Sequence, residues 1–189
     1  MSTETIPASG LATVGGTLTG PLLLSVGSGT TTVRAGGTYA KFVSGAGVGN
    51  GADLTNDALW TLTAIPLNTF TANGDALILT LSLAAGATAN NKAMGLTVGG
   101  TSITTPVFIV NGVSFVTTAT ITRVDSTHVN VFLSGTPSGG TNVPPVSSVN
   151  LVVADLTANT LAVVVTGASP TTGAAGDVKL FSGVAEFKI

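Results

Sequence analysis

The sequence predicts an all-β protein: an antiparallel β-sandwich, jelly-roll-like, behind an extended Gly/Thr-rich N-terminal arm. Three observations carry this. Threonine and valine dominate the 189 residues, a β-branched composition that suits a pleated, half-buried surface. Apolar and polar residues alternate with a period of two in segment after segment, and no stretch sustains a helical period. Turn residues punctuate those segments at the spacing of sandwich and barrel folds.

Residues 1–57 are expected to form the arm. They are dense in glycine, threonine and serine, as in Gly27-Ser28-Gly29-Thr30-Thr31-Thr32 and in 45–51, with short apolar clusters such as Leu22-Leu23-Leu24. Alone, such a segment buries too little to offset its chain entropy, so an arm or small β-substructure held by neighbouring chains is expected. Residues 58–189 are expected to be the sandwich. A first strand is read at 59–65. In 76–83, leucines 77, 79, 81 and 83 share one face while Ile78, Thr80 and Ser82 share the other, a spacing that no helix produces. Met94, Leu96 and Val98 repeat the pattern. Segments 107–110 and 113–116 flank Asn111-Gly112, whose tolerance of positive φ predicts a two-residue hairpin turn. Strands at 117–124 and 128–133 flank Asp125-Ser126-Thr127, and 146–153, 160–166 and 178–187 complete eight or nine strands.

Charge narrows the function. Only 7% of residues are charged, against about 25% in an ordinary soluble domain. Six Lys+Arg against eight Asp+Glu give a net charge of −2. The basic residues (Arg34, Lys41, Lys92, Arg123, Lys179 and Lys188) are scattered singly, so the basic face that nucleic-acid binding needs is not expected. The mean hydropathy of +0.59 would suit a membrane protein, but the apolar runs break far short of the roughly 20 residues a spanning helix requires. A secretory signal peptide is not expected either, because Glu4 stands where a basic region belongs and 22–26 is too short an apolar core. The chain has no cysteine and therefore no disulfide. A surface so poor in charge is expected to be covered largely by other subunits.

Catalytic chemistry finds few candidates, and no catalytic, cofactor-binding or metal-binding residue is assigned. His128 is the single histidine; a triad would need Ser126 or Ser134 and Asp125, yet neighbours on a strand point to opposite faces, and a half-exposed strand position is the better reading. Asp53-Leu54-Thr55-Asn56-Asp57 has oxygen ligands at every second position but lacks the glycine and glutamate of a calcium loop, so a turn is preferred. In 45–51, Asn50 replaces the third glycine of G-x-G-x-x-G, which favours a flexible loop or tight packing over a phosphate cradle. Asp75 and Asp177 would form a glycosidase pair if the fold joined them. Both sit where a turn enters a strand, a place where aspartate ordinarily satisfies backbone N–H groups. Trp60, Tyr39 and the phenylalanines are too dispersed for a carbohydrate platform, and most are expected in the core.

Two stretches resemble a known family. Thr13-Val14-Gly15-Gly16-Thr17-Leu18-Thr19-Gly20-Pro21-Leu22 is similar to the Gly-Gly-Thr-(Met/Leu)-Thr-Gly-(Pro/Ala)-Leu motif of tailed-bacteriophage tail fibres. The order Asn73-Gly74-Asp75-Ala76-Leu77, Ala89-Asn90-Asn91-Lys92, Val98-Gly99-Gly100-Thr101, the alternating 115–123, and Ala175-Gly176-Asp177-Val178 resembles the β-sandwich module of phage fibres, spikes and capsid-bound proteins. The likeness spans about two thirds of the chain. It implies a virion component without enzymatic activity or cofactor, assembled in the host cytoplasm. Its expected form is a homotrimer whose N-terminal part binds the major capsid protein or another virion protein. At 189 residues no long repetitive shaft is present, which favours a capsid decoration (cement) or short head-fibre protein. The alternative is a tail fibre or spike that recognises host surface glycan or protein. No partner role is expected for nucleic acid or membrane.

Overall fold

The computed structural model describes residues 22–26, 29–33, 37–65, 70–105, 111–137 and 143–188. Among the described residues every regular element is a strand: β1 (Leu22–Val26), β2 (Gly29–Val33), β3 (Gly37–Gly49), β4 (Asp57–Ile65), β5 (Ala76–Ala85), β6 (Ala93–Val98), β7 (Thr101–Thr104), β8 (Ser114–Arg123), β9 (His128–Pro137), β10 (Val143–Val152), β11 (Leu161–Ala168) and β12 (Val178–Lys188). A six-stranded sheet runs β10-β9-β8-β5-β12-β3 and a four-stranded sheet runs β4-β11-β6-β7, with every recorded pairing antiparallel. β1 and β2 form a separate two-stranded ladder.

The two sheets are an antiparallel β-sandwich because the period-two pattern gives each of them one apolar face. Leu77, Leu79, Leu81 and Leu83 of β5 are fully buried, as are Met94, Leu96 and Val98 of β6. Phe115, Ala119 and Ile121 on β8, Val129, Val131 and Leu133 on β9, and Val163 and Val165 on β11 complete the layer between the sheets. Burying one such side chain stabilises the fold by about 1.5–3 kcal/mol. The sheets meet through particular contacts: the Phe42 and Trp60 rings lie 5.9 Å apart between β3 and β4, and Thr117 Oγ1 of β8 donates to Met94 Sδ of β6 at 3.4 Å. Trp60 lies on Gly183 of β12, where a Cβ would stand 2.6 Å from the indole.

Two sequence expectations change. The sheet does not begin at residue 58. β3 lies within the expected arm, yet it pairs along β12 from Phe187↔Gly37 to Lys179↔Gly49. Its glycines hid this strand. Between Val43↔Ser182 and Val48↔Leu180, four residues of β3 face Phe181 alone, and in this looped bulge Gly47 has φ +72° and a Cβ on it would stand 3.1 Å from the Phe181 ring. A side chain at Gly47 would be both strained and crowded, so the composition reads as arm while the backbone is strand. Residues 1–21, which carry most of the tail-fibre-like motif, lie outside the described residues.

The second change concerns the hairpin expected at Asn111-Gly112. Gly112 does adopt positive φ (+60°), but from Ser114 onward one edge of β8 pairs with β5, and from Phe115 the other pairs with β9, so both edges of Phe115 and Val116 are taken. Residues 107–110 lie outside the described residues. The two-residue hairpin is instead Gly99-Gly100, between Val98 and Thr101, with both glycines at positive φ as a type I′ turn requires.

Candidate functional site

At one end of the sandwich the loops after β3, β5 and β11 converge on a buried polar cluster. Asp177 opens β12 and is 1% exposed; Lys92, just before β6, is 0% exposed. One Asp177 oxygen accepts from Thr88 Oγ1, and the other from Asn90 Nδ2 at 3.0 Å and Ser169 Oγ at 2.9 Å. Lys92 Nζ donates to the carbonyls of Thr88 (2.8 Å) and Asn90 (3.1 Å), so lysine and aspartate both hold the 88–90 stretch of the β5–β6 loop. Burial pushes the Lys92 ammonium below its usual range, opposed by the Asp177 charge. For Asp177 burial acts upward, but the three side-chain hydrogen bonds and the Lys92 charge outweigh it and hold the carboxyl below the usual range.

Asn50 joins the third loop to this cluster. Its amide donates to the Gly51 and Ala174 carbonyls at 2.9 Å each, its oxygen accepts from Val178 N–H at 2.9 Å, and its own backbone bonds Val178 and Gly176. Gly86 has to be glycine at its place, since a Cβ would sit 3.0 Å from Asp177 Oδ1. With both carboxylate oxygens occupied and the ammonium enclosed, this arrangement can fix loops but offers no group to a substrate.

The opposite end is built the same way. Buried Arg123 closes β8 and donates from its guanidinium to the Phe70 and Asp125 carbonyls. Asp75 Oδ2 accepts from Thr71 N–H at 2.8 Å and Ala72 N–H at 2.7 Å, the backbone role anticipated for it. Asp177, by contrast, serves side chains. Asp125 accepts from Thr127 N–H and Oγ1, and meets His128 Nδ1 at 2.9 Å. These bonds, the Thr127 backbone bond foremost, hold its pKa at about 2. The same Asp-x-Thr arrangement recurs at Asp53/Thr55 and Asp155/Thr157, in each case with one carboxylate oxygen taking the N–H and the hydroxyl two residues on.

Among the residues considered for chemistry, His128 and Asp125 come together, but the third partner is Thr127 Oγ1 at 3.1 Å and neither Ser126 nor Ser134. Asp75 and Asp177 are far apart. Each precedes one of the antiparallel neighbours β5 and β12, whose ladder runs from Ala76↔Lys188 to Ala85↔Val178. Nine steps of roughly 3.4 Å separate the two carboxylates by about 30 Å, whereas a glycosidase pair stands within about 10 Å. In the 53–57 segment, Asp53 makes its turn and Asp57 accepts from Gly51 N–H at 2.7 Å. Among the described residues no group of three or more His, Asp or Glu is placed to hold a metal ion, and no helix is long and apolar enough to cross a membrane. Lys92, Asn50 and Ser169 were not anticipated, because nothing local marks a polar residue for burial. The thrice-repeated Asp-x-Thr was a readable signal for the turns.

The remaining broad surface is the outer face of the six-stranded sheet. Ladder registers align its side chains in rows: Thr38, Glu186, Ile78, Thr120, Phe132 and Ser147 in one, and Val43, Ser182, Ser82 and Val116 in another.

No protein-family model matches the chain, and no curated protein matches it in sequence. Among solved structures it is similar to the CBM2 module of the evolved Dit of Lactobacillus casei BL23 phage J-1, at 8% identity over 67% of this chain and 68% of that one, with a TM-score of 0.38.

Proposed function

We propose that the chain is a non-enzymatic structural protein of a tailed-bacteriophage particle, specifically a homotrimeric capsid decoration (cement) or head-fibre protein. In this reading the residues ahead of β3 attach it to the major capsid protein or another virion protein, and the sandwich projects. The observation that carries the non-enzymatic reading is the state of the titratable groups. Asp75 and Asp177 are about 30 Å apart along the β5/β12 ladder, and the buried Asp177, Lys92 and Arg123 are each engaged in holding loops. General acid–base work needs two such groups within reach of one substrate. The phage assignment is supported by the Gly-Gly-Thr-Leu-Thr-Gly-Pro-Leu motif at 15–22 and by the low charge of a chain built to be covered.

Attachment across joints between capsid subunits would stabilise the assembled state by mass action. The test is co-sedimentation with purified capsids. The full chain is expected in the capsid pellet and a chain lacking residues 1–36 in the supernatant. Undiminished binding by the shortened chain would overturn the reading. Binding of the protein to host cells, competed by soluble host glycan, would replace it with the tail-fibre alternative.

A further inference from the structure

Among the described residues, four of the five large apolar side chains left exposed stand on the outer face of the six-stranded sheet: Val43 (83% exposed), Val116 (51%), Phe132 (48%) and Val152 (65%). Around them are Thr80, Thr118, Thr120, Thr122, Ser134 and Ser147, each placed outward by the alternation of its strand. The four strands β5, β8, β9 and β10 put no lysine, arginine, aspartate or glutamate on this face, because Arg123 turns inward and is buried. Its charges are Lys41 on β3 and Lys179, Glu186 and Lys188 on β12, all toward one edge.

We infer that this face is covered by a second copy of the chain. Area is the first argument. Six strands at roughly 4.8 Å spacing and about ten residues at roughly 3.3 Å rise give a surface of about 900 Å², and a stable interface takes about 800 Å² from each partner. Charge is the second. A nucleic acid or a strongly acidic partner would need a basic face, whereas here the charges stand toward one edge and the larger, uncharged part can meet its own copy without like-charge repulsion. Threonine suits such a contact, since its methyl packs and its hydroxyl both donates and accepts.

The inference deepens the homo-oligomer part of the proposed function by naming the surface, and its test fails separately from that reading. Solution mass of the purified full chain, by sedimentation or light scattering, is expected at a multiple of the 18.4 kDa chain mass. Val116→Lys and Phe132→Lys each put a long charged side chain where an apolar one would be buried in the contact. Each is expected to weaken self-association at least 100-fold and to leave an 18.4 kDa species with an unchanged far-ultraviolet circular dichroism spectrum. Thr157→Lys, in the β10–β11 loop, should leave the mass unaltered. A monomeric wild-type chain would overturn the inference. So would an oligomer that survives both face substitutions, which would leave oligomerisation itself standing. Loss of capsid binding, rather than of mass, on Phe132→Lys would give the face to another virion protein and also overturn it.

Discussion

Asp177→Ala tests whether the buried polar cluster holds the loop end of the sandwich. The carboxylate takes three side-chain hydrogen bonds, from Thr88, Asn90 and Ser169. A hydrogen bond to a charged group contributes about 1.5–3 kcal/mol, so the gross loss is large, but it is not all realised. Thr88 is exposed and Asn90 half-buried, so both can turn to water once the carboxylate is gone. Ser169 is buried and keeps only Thr172, at 2.9 Å. Lys92 then stays enclosed without the one negative charge that offsets its burial. Ser169 and Lys92 are each left short of an interaction inside the fold, at about 1–3 kcal/mol for each such group, and we expect Asp177→Ala to cost about 3–5 kcal/mol. For a chain of this size that lowers Tm by about 6–20 °C. Urea unfolding followed by Trp60 fluorescence measures the loss directly. Lys92→Met should cost less, because the Asp177 bonds survive, and the double variant should cost less than the sum. A midpoint for Asp177→Ala within about 1 kcal/mol of the parent would refute the reasoning.

Three further outcomes are expected. Asp53, Asp125, Asp155 and Asp177 all have folded pKa values below the usual 3.8, so their stabilisation is complete above that value and is lost as pH falls through the folded values. With Asp125 at about 2, urea midpoints should hold from pH 7 to 5 and decline between about 4 and 2; a flat profile down to pH 2 would contradict this. Gly183→Ala drives a methyl into Trp60 and should cost about 1–3 kcal/mol with a shift in indole emission, while Gly37→Ala, which meets nothing within 4 Å, should leave that emission and the midpoint unchanged. Deleting Gly45-Ala46-Gly47 leaves one residue opposite Phe181, makes β3 a regular edge, and should produce aggregation visible by light scattering.

Much of the fold was legible because burial on one face of a strand imposes a period of two. The leucines of β5, the Met94/Leu96/Val98 trio and the alternating residues of β8 and β9 fall on the core side as their spacing requires. What escaped was whatever depends on a distant partner. β3 reads as linker because it is rich in glycine, and the reason for Gly47 lies with Phe181, 134 positions on. The Asn111-Gly112 turn has the right φ, but pairing is decided by which strands already flank β8. Asp75 and Asp177 look equivalent, each following an Asn-Gly or a glycine; only the antiparallel register puts them at opposite ends. The burial of Lys92 also depends on a distant residue: the Thr88 and Asn90 carbonyls are local, but the Asp177 charge that opposes its desolvation comes from the start of β12.

The edges of the six-stranded sheet explain why association should go through a face. An open edge presents unpaired N–H and C=O groups and is the ordinary route to strand-by-strand assembly. Here both edges are blunted. β10 carries Pro144 and Pro145, and its pairing with β9 slips twice, between Val143 and Val146 and between Ser148 and Leu151. β3 is broken by its four-residue bulge and carries Lys41. Meanwhile the loop ends have their carboxylates and amides turned onto their own chain, Asn50 and Asp75 onto backbone groups and Asp177 onto side chains. With the edges of this sheet interrupted and the loop ends saturated, its outer face, uncharged across β5, β8, β9 and β10, is the surface that exposes Val43, Val116, Phe132 and Val152. Assembly through it buries Val116 and Phe132 without exposing any strand edge, so the same sequence that suppresses open-ended edge pairing leaves closed association by the face.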